Sequence, residues 1–123
     1  MAFKGQPTSS TILPVRRAKI SDGKAVRVTA SKKVEAQKFC LIDGFFGVAL
    51  KDAEVGEELE LQIEQVEYET NDIVTTEAFN TGDLIYWNNS KFTTTATDNR
   101  LVGRVTVGKD SNNVIWFILL PQA

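Results

Sequence analysis

The chain contains no histidine. That absence removes the commonest general base near neutral pH, the usual activation of serine and cysteine nucleophiles, and most zinc and non-haem iron sites. A single cysteine, Cys40, rules out an internal disulfide, and its neighbours Phe39, Leu41 and Ile42 predict a buried core thiol instead of a nucleophile. The glycines fall singly, with neither G-x-G-x-x-G nor G-x-x-x-x-G-K-[ST], so no phosphate-cradling loop and no cofactor are expected. No stretch approaches the roughly 18 apolar residues of a membrane span. Met1 to Pro7 also lack the apolar core of a signal peptide, so synthesis in a cytoplasm and no membrane partner are expected.

Carboxylates are the one catalytic resource left, since a glycosidase needs only two acids across a cleft. Glu57, Glu58, Glu60 and Glu64 alternate with apolar residues, which is the pattern of a solvated strand face. Asp43, Asp83 and Asp98 adjoin turn signals, so they read as turn formers and not as calcium ligands. No enzyme and no small-molecule substrate are expected; a carboxylate hydrolase relying on Glu64 or Asp83 is the rival from the enzyme class.

Charge is unevenly spread. Residues 1 to 50 carry nine Lys or Arg and three acids, whereas residues 51 to 83 carry eleven acids and only Lys51. Such a dipole steers encounters with a partner or between copies more than it sets final affinity; the alternative is two solvated faces of one barrel. The cluster Arg16, Arg17 and Lys19 could meet phosphates, but a pI of about 5.2 and the lack of a basic domain argue against nucleic acid. Tyr86, Trp87 and Trp116 read as core or subunit-contact aromatics, and a single-strand-binding barrel is a distant alternative.

Most of the chain alternates apolar and polar residues with period two, which predicts an all-β barrel or sandwich of about eight mostly antiparallel strands. Strands are expected at Ala25 to Thr29, Lys38 to Ile42, Phe45 to Leu50, Glu57 to Glu64, Asp83 to Trp87, Lys91 to Thr97, Leu101 to Val107 and Val114 to Leu120. Asp43-Gly44 is a two-residue hairpin signature. The change of parity after Glu64 predicts a β-bulge or sharp bend near Glu64-Gln65. Asn71 to Thr81 predict a loop with one helical turn, and the apolar last strand is expected to be central. Residues 1–20 are polar and aperiodic, so they read as an extended N-terminal arm preceding a single β-barrel domain over 21–123.

Two stretches carry a resemblance. Phe45-Phe46-Gly47-Val48-Ala49-Leu50, followed by Asp52-Ala53 and Gly56-Glu57, is similar to the first signature of the DUF2190-type phage capsid cement proteins. The second stretch, Thr81-Gly82-Asp83-Leu84-Ile85-Tyr86-Trp87-Asn88, then Lys91 to Thr97 and Asn99-Arg100-Leu101-Val102-Gly103, resembles that family's GD-x-hydrophobic-YW, threonine run and hydrophobic-G ending in order and spacing. The match spans roughly residues 26 to 120. The chain departs from the pattern at Gln37 and Gln65, where glycine is expected, and in its longer arm.

The resemblance implies a non-catalytic decoration protein on the outer surface of a tailed-phage virion, bound to the major capsid protein and reinforcing joints between capsomers. Joints where three capsomers meet favour a homotrimer, with a homodimer on two-fold joints as the alternative. Arg16, Arg17 and Lys19 of the arm, with Tyr86 and Trp87, are the expected capsid or subunit contacts. A tail or baseplate β-barrel protein is the rival structural reading.

Overall fold

The period-two alternation is realised as nine β-strands in a computed structural model that describes residues 20–122. They are β1 (Ala25–Thr29), β2 (Phe39–Ile42), β3 (Phe45–Ala49), β4 (Glu58–Gln62), β5 (Glu67–Thr70), β6 (Leu84–Trp87), β7 (Phe92–Thr93), β8 (Arg100–Val107) and β9 (Ile115–Leu119). The protein is all-β, with no helix among the described residues. Two antiparallel sheets form, of order β1-β4-β3-β2 and β5-β9-β8-β6-β7. They fall in two compact units that divide between Glu64 and Gln65.

In the first unit the alternation of β1 and β4 decides the core. Val26 pairs with Leu61 and Val28 with Leu59, while Arg27 pairs with Glu60 on the wet face. Leu59 and Leu61 are buried and pack with Val28, Val34, Cys40, Ile42 and Ala49. Each valine, leucine or isoleucine among them, taken out of water, contributes about 1.5–3 kcal/mol. Asp43 and Gly44 both adopt positive φ (53° and 85°), the conformation a two-residue hairpin loop requires, and so join β2 to β3 in the expected register. Phe39 and Phe46 stack, with centroids 5.8 Å apart. At Gly47 β3 passes so close to β4 that an added Cβ would run into the Gln62 carbonyl. Asp52 Oδ1 accepts from the Ala36 amide at 2.7 Å and ties down the turn before β2. Within that turn Gln37 stands at φ 69°, in left-handed space that a side chain disfavours.

The second unit is built on an aromatic core. Phe92 meets Phe117 at 4.8 Å and Trp87 at 5.1 Å, and Tyr68 lies 5.9 Å from Phe117. Ile73, Ile85, Ile115 and Leu119 are buried with them. β9 lies between β5 and β8, as its apolar sequence predicts. Gly103 faces inward beneath Phe117, where a Cβ would lie 2.9 Å from the ring. Register shifts occur at Ile85/Tyr86 in the β6–β8 pair and at Val105/Val107 in the β8–β9 pair.

The structure corrects three expectations and bears out a fourth. There are nine strands and not about eight, because Glu67–Thr70 is a strand of its own. The parity change at Glu64-Gln65 is the expected sharp bend, which falls at Glu64 where one unit gives way to the next. Asn71 to Thr81 form no helical turn; Ile73 makes a parallel bridge to Phe92 and a hydrogen-bonded turn follows at Thr75-Thr76. The threonine strand expected to run to Thr97 ends at Thr93, because a carboxylate captures the next residues. The arm over residues 1–20 lies outside the described residues except for Ile20.

Candidate functional site

Parity along β9 determines what the second sheet shows to solvent. Ile115, Phe117 and Leu119 point into the core, so Trp116 and Ile118 point out. Register then fixes their neighbours. Ile118 lies between Glu67 of β5 and Arg104 of β8, and Trp116 between Glu69 and Val107. Farther across the sheet Arg104 pairs with Leu84, and Leu101 with Tyr86. Trp116 is 46% exposed, Val107 45% and Leu101 37%, so this face presents large apolar side chains that an isolated sheet would place in the core.

Two of the charges on the face, Arg104 and Glu67, are held by bonds within the chain. Arg104 Nη1 donates to the Gly82 carbonyl at 2.7 Å, and Glu67 Oε2 accepts from Thr106 Oγ1 at 2.6 Å. Both groups are thereby positioned before any partner arrives.

Beside the face, Glu77 organises the threonine run. Its carboxylate accepts from Thr93 Oγ1 (2.8 Å to each oxygen), the Thr94 amide (2.7 Å), Thr94 Oγ1 (3.0 Å) and Thr95 Oγ1 (3.2 Å). Burial pushes the Glu77 carboxyl up, but the Thr94 amide and the three hydroxyls outweigh it and hold its pKa below the ordinary glutamate value. Lys109 Nζ fixes the same loop by donating to the carbonyls of Thr75 (2.9 Å) and Glu77 (2.7 Å). An open groove of about 520 Å³ runs alongside, lined by Ala78, Asn80, Leu84, Tyr86 and Thr94.

Of the residues expected to make contacts, Tyr86 lines this groove and is partly exposed. Trp87 is 5% exposed and packs edge-on against Phe92, so its ring supports the sheet from the core side. Arg16, Arg17 and Lys19 lie outside the described residues. Asp83 accepts from the Asn80 amide at 2.9 Å, and Asp98 has φ 61°, both in turn roles. Glu64 lies 3.7 Å from Lys24 on the surface. Cys40 is buried as expected; burial pushes its thiol pKa up, with Lys32 acting in the opposite direction. No group of three or more His, Cys, Asp or Glu able to hold a metal occurs among the described residues.

Two participants escaped the sequence. Glu77 sits in the segment with no period, and its signal is a lone acid whose donors arrive sixteen to eighteen residues later in Thr93, Thr94 and Thr95. Arg104 was hidden because facing across a sheet is set by register, which spacing alone does not give.

A family model described as phage cement protein matches residues 20–121. A search of curated proteins returned no match.

Proposed function

This chain belongs to the phage cement protein family, and on that premise we propose that it binds the outer surface of an assembled capsid and stabilises the joints between capsomers. The observation that carries the reading is the extent of the match, which takes in all nine strands and so both units. A cement role is structural and non-enzymatic: it needs a stable framework with contact surfaces and no reacting group. The exposed Trp116 face and the Tyr86 groove are the surfaces offered.

The partner is the major capsid protein, and the site of action is the virion exterior after synthesis in the host cytoplasm. The cationic arm, through Arg16, Arg17 and Lys19, reaches an acidic surface of the shell or of a neighbouring copy. Tyr86 contacts the partner from the groove while Trp87 backs the strand that carries it. Copies act as a homo-oligomer, a trimer where three capsomers meet or a dimer on two-fold joints. Repeated binding of this kind secures many subunits through individually modest contacts.

Adding purified chain to undecorated heads and counting bound copies tests the proposal. Saturable binding that raises the temperature at which heads rupture is expected. Absence of binding, or binding to tails alone, would overturn it.

A further inference from the structure

Asp-Gly occurs twice in the chain, at Asp22-Gly23 and Asp43-Gly44. An aspartate before glycine rearranges without an enzyme when its backbone is free to turn, because glycine has no side chain to keep its nitrogen off the neighbouring carboxyl. The glycine nitrogen attacks Cγ of the protonated carboxyl. An N–Cγ bond forms and the Cγ–OH bond breaks, with the hydroxyl and the amide proton leaving as water. Water then adds to one of the two carbonyl carbons of the resulting succinimide, and the C–N bond there opens. Opening at Cγ restores aspartate, whereas opening at the α-carbonyl leaves isoaspartate, whose main chain runs through Cβ and Cγ. Water lost is water regained, and no other reactant is consumed.

Closing the ring requires rotation about the Cα–C bond of the aspartate, so the backbone on either side sets the rate. At Asp43-Gly44 both sides are held. The dipeptide is the whole loop between Ile42 and Phe45, which pair across β2 and β3, and Asp43 stands at φ 53°. Rotation there pulls β3 off β2, so ring closure waits for the hairpin to open. At Asp22-Gly23 the C-terminal side is held, since the Ile63 amide donates to the Lys24 carbonyl at 2.9 Å and β1 begins at Ala25. Before it, Ile20 and Ser21 belong to no strand or bridge, and residues 20–24 are all exposed. The attacking nitrogen itself is weakly held, because the Gly23 amide donates to Ser21 Oγ at 3.2 Å, the long end of the hydrogen-bond range. Asp110, before the small Ser111, is committed elsewhere: its Oδ1 accepts from the Asn112 and Val114 amides at 2.8 and 3.0 Å.

We propose that Asp22-Gly23 is a site of spontaneous isoaspartate formation in the folded protein, and that the β2–β3 hairpin protects Asp43-Gly44 from the same reaction. Each event at Asp22 adds one carbon to the main chain just before β1 and leaves the negative charge on the former α-carboxyl. The reaction needs no partner, so it is independent of the cement role.

Incubation of the full purified chain at neutral pH for weeks, followed by tryptic mapping with electron-transfer fragmentation, tests this, because Asp22 and Asp43 fall in separate peptides, residues 20–24 and 39–51. In the folded chain isoaspartate at Asp22 is expected to exceed that at Asp43 about tenfold or more, the gap being the cost of opening the hairpin. In guanidinium chloride sufficient to unfold the chain, the two sites are expected to convert at similar rates, which isolates the contribution of the fold. Asp22→Glu keeps the charge but would have to close a six-membered ring, and is expected to abolish the signal from this peptide. Circular dichroism confirms that the variant is folded. Equal conversion at the two sites in the folded chain, no conversion at Asp22, or a tenfold ratio that persists after unfolding would each overturn the proposal. Decoration of heads enters none of these readouts, so a negative result leaves the cement reading intact.

Discussion

Replacing Glu77 by alanine removes the acceptor for four donors at once, and the structure sets the size of the effect. The Thr93 hydroxyl is the critical one, because Thr93 is only 3% exposed and its hydroxyl bonds the Glu77 carboxylate. Leaving a buried donor unsatisfied costs about 1–3 kcal/mol. The Thr94 amide and the Thr94 and Thr95 hydroxyls are more accessible, so water replaces the carboxylate and their combined loss is about 1 kcal/mol. A total of about 2–4 kcal/mol lowers the melting temperature by about 10 °C or more for a chain of this length. Calorimetry reads the shift, and hydrogen exchange at the Thr94 amide reads its cause. Adding Thr93→Val removes the stranded hydroxyl, so the double variant is expected to recover about 1 kcal/mol relative to additivity. The pH dependence follows from the lowered pKa. The carboxylate's stabilisation is complete above the ordinary glutamate range and is lost as pH falls through the lower folded value, so the gap between wild type and Glu77→Gln narrows on acidification. A loss under about 0.5 kcal/mol for Glu77→Ala, or unchanged protection at Thr94, would refute the reasoning.

Gln37→Gly relieves the left-handed backbone of the turn before β2, partly offset by the greater freedom of unfolded glycine, so urea denaturation should show a gain of about 0.5–1 kcal/mol. Gly47→Ala drives a methyl into the Gln62 carbonyl and separates β3 from β4; a loss of about 2–3 kcal/mol in the same assay is expected. Cys40 should label with a thiol reagent only on unfolding, because it is buried and its pKa is raised; rapid stoichiometric labelling of the native chain would contradict its place in the core.

Much of the fold was legible because one-sided strands declare themselves by parity. Val26 and Val28 of β1 and Leu59 and Leu61 of β4 show their inward faces by alternation, and Asp43-Gly44 could hardly be anything but a tight hairpin, so the register of β2 on β3 followed from local chemistry alone. Legibility failed where long-range partners overrode local preference. Thr94 to Thr97 have the β-branched composition of a strand, yet Glu77 offers Thr94 a better acceptor than a sheet edge does. The phase change at Gln65 reads as a bulge or a bend, and only contacts show that a new unit begins there. At the candidate site the exposure of Trp116 was implicit in the order Ile115-Trp116-Phe117. Its acidic and basic neighbours depend on register between strands far apart in sequence. Gln37 shows that a departure from a family pattern can be a strained position as well as a functional one.

The cement role meets its most direct test in an icosahedral reconstruction of heads incubated with the purified chain. The account predicts added density at regular joints on the outside of the shell, shaped to hold both β units of each copy. A shell indistinguishable from undecorated heads at saturating protein, or density confined to the tail, would contradict it.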